Sequence, residues 1–338
     1  MSSPSLVARP PSPPDSLGWA SALVDPAMEA AVVRLHPELR PPVEHHLAGG
    51  GKRVRAALAV LSAAASGGRP EEGIVGAVAV ELVHNFSLLH DDVIDGDAER
   101  RHRPTVWIQF GIGPAIIAGD ALMTLAMQVL LEEGTPNAAG AASALAGATQ
   151  QMIAGQALDM AFETSSDVSL QDCLAMSRGK TGALLGCAAS IGAELTGASP
   201  DVVGALRSFG THMGVAFQAV DDVLGIWGEP AVTGKPAGND LVQHKKSVPV
   251  AAVLREAALG GVPDDARELS TLLGGAMTPP DTARAADLLE ERGGRRMALE
   301  LADAHLDAAL EALRSVPLEP GPAGELAEIA RYVVERDR

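Results

Sequence analysis

Apolar residues recur three and four apart along most of the chain, as at Val54, Leu58 and Leu61 and again at Val80, Val83 and Leu88. That period marks a helix with one buried face. No strict alternation is sustained long enough to argue for a sheet. Turn-forming runs at Gly67-Gly68-Arg69-Pro70, Arg103-Pro104, Gly134-Thr135-Pro136, Gly197-Ala198-Ser199-Pro200 and Gly228 to Gly238 divide residues 43 to 258 into consecutive helices. A looser helical region is expected over 259–294, then a turn at Pro317 to Gly324 and a last helix. The reading is an all-α fold, with one domain over residues 43–338. The first 42 residues hold nine of the 23 prolines and read as a Pro-rich, disordered extension. The apolar stretch from Leu17 to Val24 makes it alternatively a docking tail for a scaffold, a compartment shell or a downstream enzyme.

Composition narrows the function. The 338 residues include 43 acidic and 26 basic side chains, a net charge of −17, which argues against nucleic acid or an anionic membrane as partner. An apolar share of 47% can build a core, and only 5 Phe, 3 Trp and 1 Tyr favour helix over sheet. Cys173 and Cys187 are the only cysteines and form no CxxC, which suggests a reducing cytoplasm. Residues 1–14 lack the apolar run of a secretory signal. The uncharged stretch 134–158 is too rich in small residues for a membrane span, so none is expected.

Four segments carry chemistry. Asp91-Asp92-Val93-Ile94-Asp95 ends a helix expected to begin near Glu81, and Asp91 and Asp95 share its face with His84 two turns back. Carboxylates so spaced repel one another unless a cation lies between them, and hard oxygen donors suit Mg²⁺. Gly49-Gly50-Gly51-Lys52-Arg53-Val54-Arg55 sets a glycine loop and three cations at a helix start, an arrangement for anions. Arg100-Arg101-His102-Arg103 crowds three guanidinium groups that a phosphate would bridge. Gln218, Asp221 and Asp222 form a second acidic cluster, with Lys180-Thr181 upstream and Lys235, Lys245 and Lys246 downstream. Together they read as metal-bridged diphosphate binding.

These segments resemble the trans-isoprenyl diphosphate synthases of the polyprenyl synthetase family, closest in pattern to those making geranylgeranyl diphosphate. GGGKRVR, ELVHNFSLLHDDVID, RRHRPT, GD, GQALD, GKTG, FQAVDD and GKPAGNDLVQHKKS match in order over residues 49–247. The resemblance implies a helical bundle around a deep apolar cavity, usually a homodimer, that condenses an allylic diphosphate with isopentenyl diphosphate. It assigns Asp91 and Asp95 to Mg²⁺ directly with Asp92 in support, Asp221 and Asp222 to a further ion partly through water, and about three ions in all. Lys52, Arg55, His84 and Arg101 would hold isopentenyl diphosphate. Arg100, Lys180, Thr181, Gln218, Lys235 and Lys245 would take the allylic diphosphate, with Lys180 and Lys235 helping its departure.

The pattern has departures. Gly225 stands where the family usually has Asp, and Glu229 is a candidate substitute for that carboxylate. His102 and His244 stand where Gly is usual. Asp221 to Glu229 also approaches the second metal motif of class I terpene cyclases, which is the alternative activity; an inactive regulatory subunit of a prenyltransferase is another. Phe86, five residues before Asp91, lies about 7.5 Å down the helix and could set product length. With small Ser87 beside it and no insertion in the acidic motif, the resemblance implies geranylgeranyl diphosphate as product, with farnesyl diphosphate second.

Overall fold

The computed structural model describes residues 13–165, 168–229, 236–260 and 264–335, with backbone alone at 255–260 and 264–266. It is a helical bundle. Its centre is α3 (Val54–Ala65), α4 (Ile74–Ile94), α9 (Ala183–Leu195) and α10 (Pro200–Trp227). Leu58, Leu61, Leu82, Leu89, Leu184, Ile191, Leu206, Phe209 and Met213 are fully buried there. Around them stand α6 (Ile112–Glu132) against α4, α7 (Ala138–Thr164) against α9, and α15 (Gly294–Arg314) against α10. A C-terminal helix, α16 (Pro320–Glu335), closes over α3. Residues beyond α10 enclose a smaller apolar cluster through Leu241, Val250, Leu269 and Leu288. Among the described residues the only paired strands are the two-residue β1 (Glu99–Arg100) and β2 (Arg103–Pro104).

Two boundaries differ from the sequence reading. α4 begins at Ile74, not near Glu81. Its first turns are Ile, Val, Gly and Ala, largely buried, so no polar face betrays a helical period. The N-terminal segment is also not a disordered extension throughout: residues 15–32 form α1. Leu17, Ala20, Val24 and Met28 make a buried stripe that packs on α3 and α4. The prolines cluster on either side of this stretch, leaving only Pro26 inside the helix. A 3₁₀ turn, Pro37–Leu39, then leads to α2 (Arg40–Leu47). Residues 1–12, the Pro-rich part of the proposed docking tail, lie outside the described residues.

α4 and α6 are each long and apolar enough to cross a bilayer by length and composition, with 67% and 44% of the relevant windows buried. Burial in the protein core accounts for α4. The exposed side of α6 presents Ile112, Ile116, Ile117 and Leu131, continued by Ile108 and Phe110 of α5 (Val106–Phe110).

Candidate active site

The first acidic cluster closes α4. Asp92 turns inward at 1% exposure; Arg100 Nε donates to its Oδ1 at 2.6 Å, while its Oδ2 is buried with no hydrogen-bond partner. Asp91 and Asp95 stand one turn apart and half-buried, with Asp95 as the C-cap. Burial pushes the Asp91 carboxyl up to about 6; nearby Lys180 pulls it down and Asp95 raises it further. Carboxylates crowded in this way, with one oxygen orphaned, fit a hard divalent cation. Among the described residues no three metal-ligating side chains already converge into a complete site. A diphosphate supplying the remaining oxygens suits such a donor set.

The hairpin of β1 and β2 folds the arginine run back over this cluster. Arg101 and His102 form its turn in left-handed conformation, with φ of 54° and 59°. Both carry a Cβ in a backbone region that favours glycine, so the turn is strained at two non-glycine positions. The turn returns Arg100 to Asp92 and sends Arg101 to the glycine loop. A Cβ on Gly51 would lie 3.2 Å from Arg101 Nη1, so a side chain there would press on the guanidinium.

Around that contact gathers a nest of cations. Arg55 is half-buried with its Nε hidden and unpartnered, and burial lowers its pKa against the opposing pull of Glu81. Burial likewise depresses His84 well below 6.5, followed by the charges of Arg55 and Arg101. Lys52 is exposed at the rim, its Nζ 5.7 Å from the centroid of the Tyr332 ring. This is an anion site in which an incoming diphosphate would replace mutual repulsion by bidentate pairing.

Sequence reasoning missed His46 and Glu81 of the nest, and the bracing role of Arg53. His46 lies against Arg100 and Arg101, and burial first, then those charges, push it down to about 4 despite a hydrogen bond with Asn85. Arg53, itself left-handed at φ 50°, donates Nε to Asp25 of α1 (2.9 Å) and Nη1 to Glu81 (3.1 Å). Glu81 is 3% exposed and also accepts from the Ala56 N–H. The only sequence signals were a His pair at 45–46 just before the glycine loop and a charge inside an apolar helix.

The second cluster is built on α10 and a π-turn, Arg178–Gly182, that follows α8 (Leu170–Ser177). The backbones at Gly155 of α7 and Gly179 approach so closely that a Cβ on Gly179 would sit 2.9 Å from the Gln151 carbonyl oxygen. That contact positions Lys180, whose Nζ donates to Asp159 Oδ2 at 2.5 Å. Thr181 Oγ1 donates to Gln218 Oε1 (2.7 Å) and Gln218 Nε2 to Asp222 Oδ1 (3.0 Å). The Val248 N–H, at the start of α12 (Val248–Gly260), donates to Asp222 Oδ2 (2.8 Å).

Asp222 is therefore an anchored carboxylate, each oxygen accepting one hydrogen bond from the protein. Burial lifts it to about 7, although these hydrogen bonds oppose the rise. Thr181 and Gln218 hold it in place. Asp221, on the adjacent position of the helix, is half-buried. Lys180 lies near Asp91. Burial disfavours the Lys245 ammonium, but Asp240, Asp159, Asp95 and Asp222 outweigh it and raise its pKa. Lys245 thus feels both acidic clusters, and Lys180 lies near Asp91 while lining a cavity with Asp222, so the clusters lie near one another. Lys235 lies outside the described residues, and Glu229 is exposed beyond the end of α10.

Known proteins resemble this chain in sequence and in fold. Residues 36–287 match the polyprenyl synthetase family, and the chain belongs to it. It is 43% identical over 336 residues to the (2E,6E)-farnesyl diphosphate synthase of Mycobacterium tuberculosis H37Rv, covering 95% of this chain and 92% of that one. The geranylgeranyl diphosphate synthase of the same organism is 41% identical over 292 residues, covering 85% and 80%. The polyprenyl synthetase structure from Streptomyces coelicolor A3(2) superposes with a TM-score of 0.89 at 44% identity, over 96% of this chain and all of that one. Within the family the chain is a short-chain isoprenyl diphosphate synthase, a prenyltransferase.

Proposed function

We propose that the chain condenses isopentenyl diphosphate with an allylic diphosphate in a Mg²⁺-dependent reaction whose main product is geranylgeranyl diphosphate. The observation that carries the reading is the pairing of two unlike pockets: a nest of cations at Arg55, Arg101 and Lys52, and a neighbouring space lined by carboxylates with Lys180 and Lys245. One diphosphate binds by direct ion pairing and the other through metal, so two similar substrates are told apart by charge.

Asp91, Asp95 and Asp221 would hold the Mg²⁺, for which we propose about three ions as in the resemblance. Bound there, Mg²⁺ supplies positive charge to the leaving diphosphate. Lys180 and Lys245 add charge as the allylic C–O bond breaks and its electron pair leaves with the diphosphate. Arg55, Arg101 and Lys52 grip the other diphosphate and orient its double bond towards the allylic carbon. The double bond attacks that carbon, and the resulting cation loses a proton to the released diphosphate. The apolar wall, including buried Phe86 at 6% exposure, keeps water from the cation.

Phe86, wedged against His90 with ring centroids 4.9 Å apart, supports a floor that admits a C20 chain. The exposed apolar side of α6 supports a homodimer, and two free, buried cysteines support a cytoplasmic setting. The test incubates the protein with Mg²⁺, isopentenyl diphosphate and dimethylallyl, geranyl or farnesyl diphosphate, reading products by mass spectrometry. A C20 diphosphate is expected. A C15 end product overturns the chain-length reading, and hydrocarbon formed without consuming isopentenyl diphosphate overturns the activity.

A further inference from the structure

The Phe86 ring does not hold its position unaided. His90 follows it by four residues on α4, so the two side chains share a face of the helix, and the rings meet edge to face. His90 is tied in turn to the neighbouring helix. Its Nε2 lies 3.0 Å from the Ile116 carbonyl oxygen of α6 and 3.7 Å from Asp120 Oδ1. A carbonyl oxygen only accepts, so Nε2 carries the proton of that bond. α6 makes room for the imidazole at Gly119: a Cβ built there would collide with Nε2 and Cδ2, and its three nearest neighbours are all atoms of this ring. The His90 side chain is 25% exposed whereas Phe86 is buried, so the imidazole forms the outer half of the pair.

We infer that His90 is a positioning residue for product length: seated at Gly119 and bonded to the Ile116 carbonyl, it backs the Phe86 ring against the growing chain. A phenyl side chain moves aside by changing rotamer when the space beside it is free. The imidazole fills that space and is itself held on α6, so the floor depends on Phe86, His90 and Gly119 together. The inference rests on the proposed condensation and on Phe86 as its floor, and adds the residue that keeps the floor from yielding. It also gives Gly119 a reason, since any side chain there evicts the imidazole.

The test incubates each variant with Mg²⁺, isopentenyl diphosphate and farnesyl diphosphate, reads product length by mass spectrometry, and checks folding by thermal melts. His90→Ala leaves a cavity beside the phenyl ring and should carry the main product beyond the wild-type length. His90→Gln, whose amide can still donate to the Ile116 carbonyl, should keep the wild-type length. Gly119→Ala should lower Tm with His90 present and cost nothing in the His90→Ala background, where the methyl group has room. An unchanged product from His90→Ala alongside a longer one from Phe86→Ala overturns the inference alone. So does lengthening by His90→Gln equal to that by His90→Ala, or a cost of Gly119→Ala that persists without the imidazole. If neither His90→Ala nor Phe86→Ala lengthens the product, the floor reading falls as well. If the wild type forms no prenyl product, the proposed function falls first.

Discussion

Removal of the Asp25 carboxylate should weaken the grip on isopentenyl diphosphate from a position outside the site. Arg53 sits between the glycine loop and α3 in a left-handed conformation, which costs a non-glycine residue about 1–2 kcal/mol. Its bonds to Asp25 and Glu81 offset that cost and fix the loop that carries Lys52. The Glu81 pair is buried, whereas the Asp25 side chain is 43% exposed. Solvent screening therefore limits the Asp25 share to about 0.5–1 kcal/mol. If that energy holds the loop in its binding geometry, Asp25→Ala raises KM for isopentenyl diphosphate about 2- to 5-fold. kcat and the KM for the allylic substrate should stay within about twofold, since their groups lie on α4, α10 and the π-turn. Steady-state kinetics with each substrate varied against a saturating partner reads the difference. An unchanged KM for isopentenyl diphosphate, or an equal rise for both substrates, would refute the strut.

Three further outcomes are expected. His102→Gly should relieve the left-handed turn and stabilise the fold by about 1 kcal/mol, a rise of about 1–3 °C in calorimetric Tm; an unchanged or lower Tm contradicts the strain. Pyrophosphate binding in EDTA should carry more proton uptake in the wild type than in His84→Gln at pH 6. His84 is held neutral there partly by Arg55 and Arg101, and an anion that offsets those charges raises its pKa; titration calorimetry in two buffers of different ionisation enthalpy measures the difference, and equal uptake counts against it. Phe86→Ala should lengthen the product, read by mass spectrometry, and an unchanged distribution would move the floor to another helix.

What the sequence disclosed was local. The four-residue interval from Asp91 to Asp95 and the glycine loop before α3 are short-range patterns, and the structure places both at the site. α1 escaped notice because proline content over residues 1–42 outweighed a stripe at 17, 20, 24 and 28 that is plain once α3 and α4 are there to cover it. The unequal roles of Asp221 and Asp222 were hidden for another reason. Adjacent residues on a helix point about 100° apart, and only the neighbours Gln218 and Val248 reveal which one is anchored. The histidines at 102 and 244 became intelligible through backbone geometry: both adopt positive φ, 59° and 56°. The meeting of Gly225 with Asp240 joins residues 15 positions apart, a contact that no local pattern records.

The row of hydrogen bonds from Thr181 through Gln218 to Asp222 has a polarity. The threonine hydroxyl can be a donor only because the amide turns its oxygen towards it, and that orientation turns the amide nitrogen towards the carboxylate. Reversing the amide would set its oxygen against a buried carboxylate oxygen, with no proton between them. The acceptor-only carboxylate of Asp222 thus dictates, two links away, that the hydroxyl on the π-turn serves as a donor. An uncharged residue on one element takes its hydrogen-bonding role from a charged one on another.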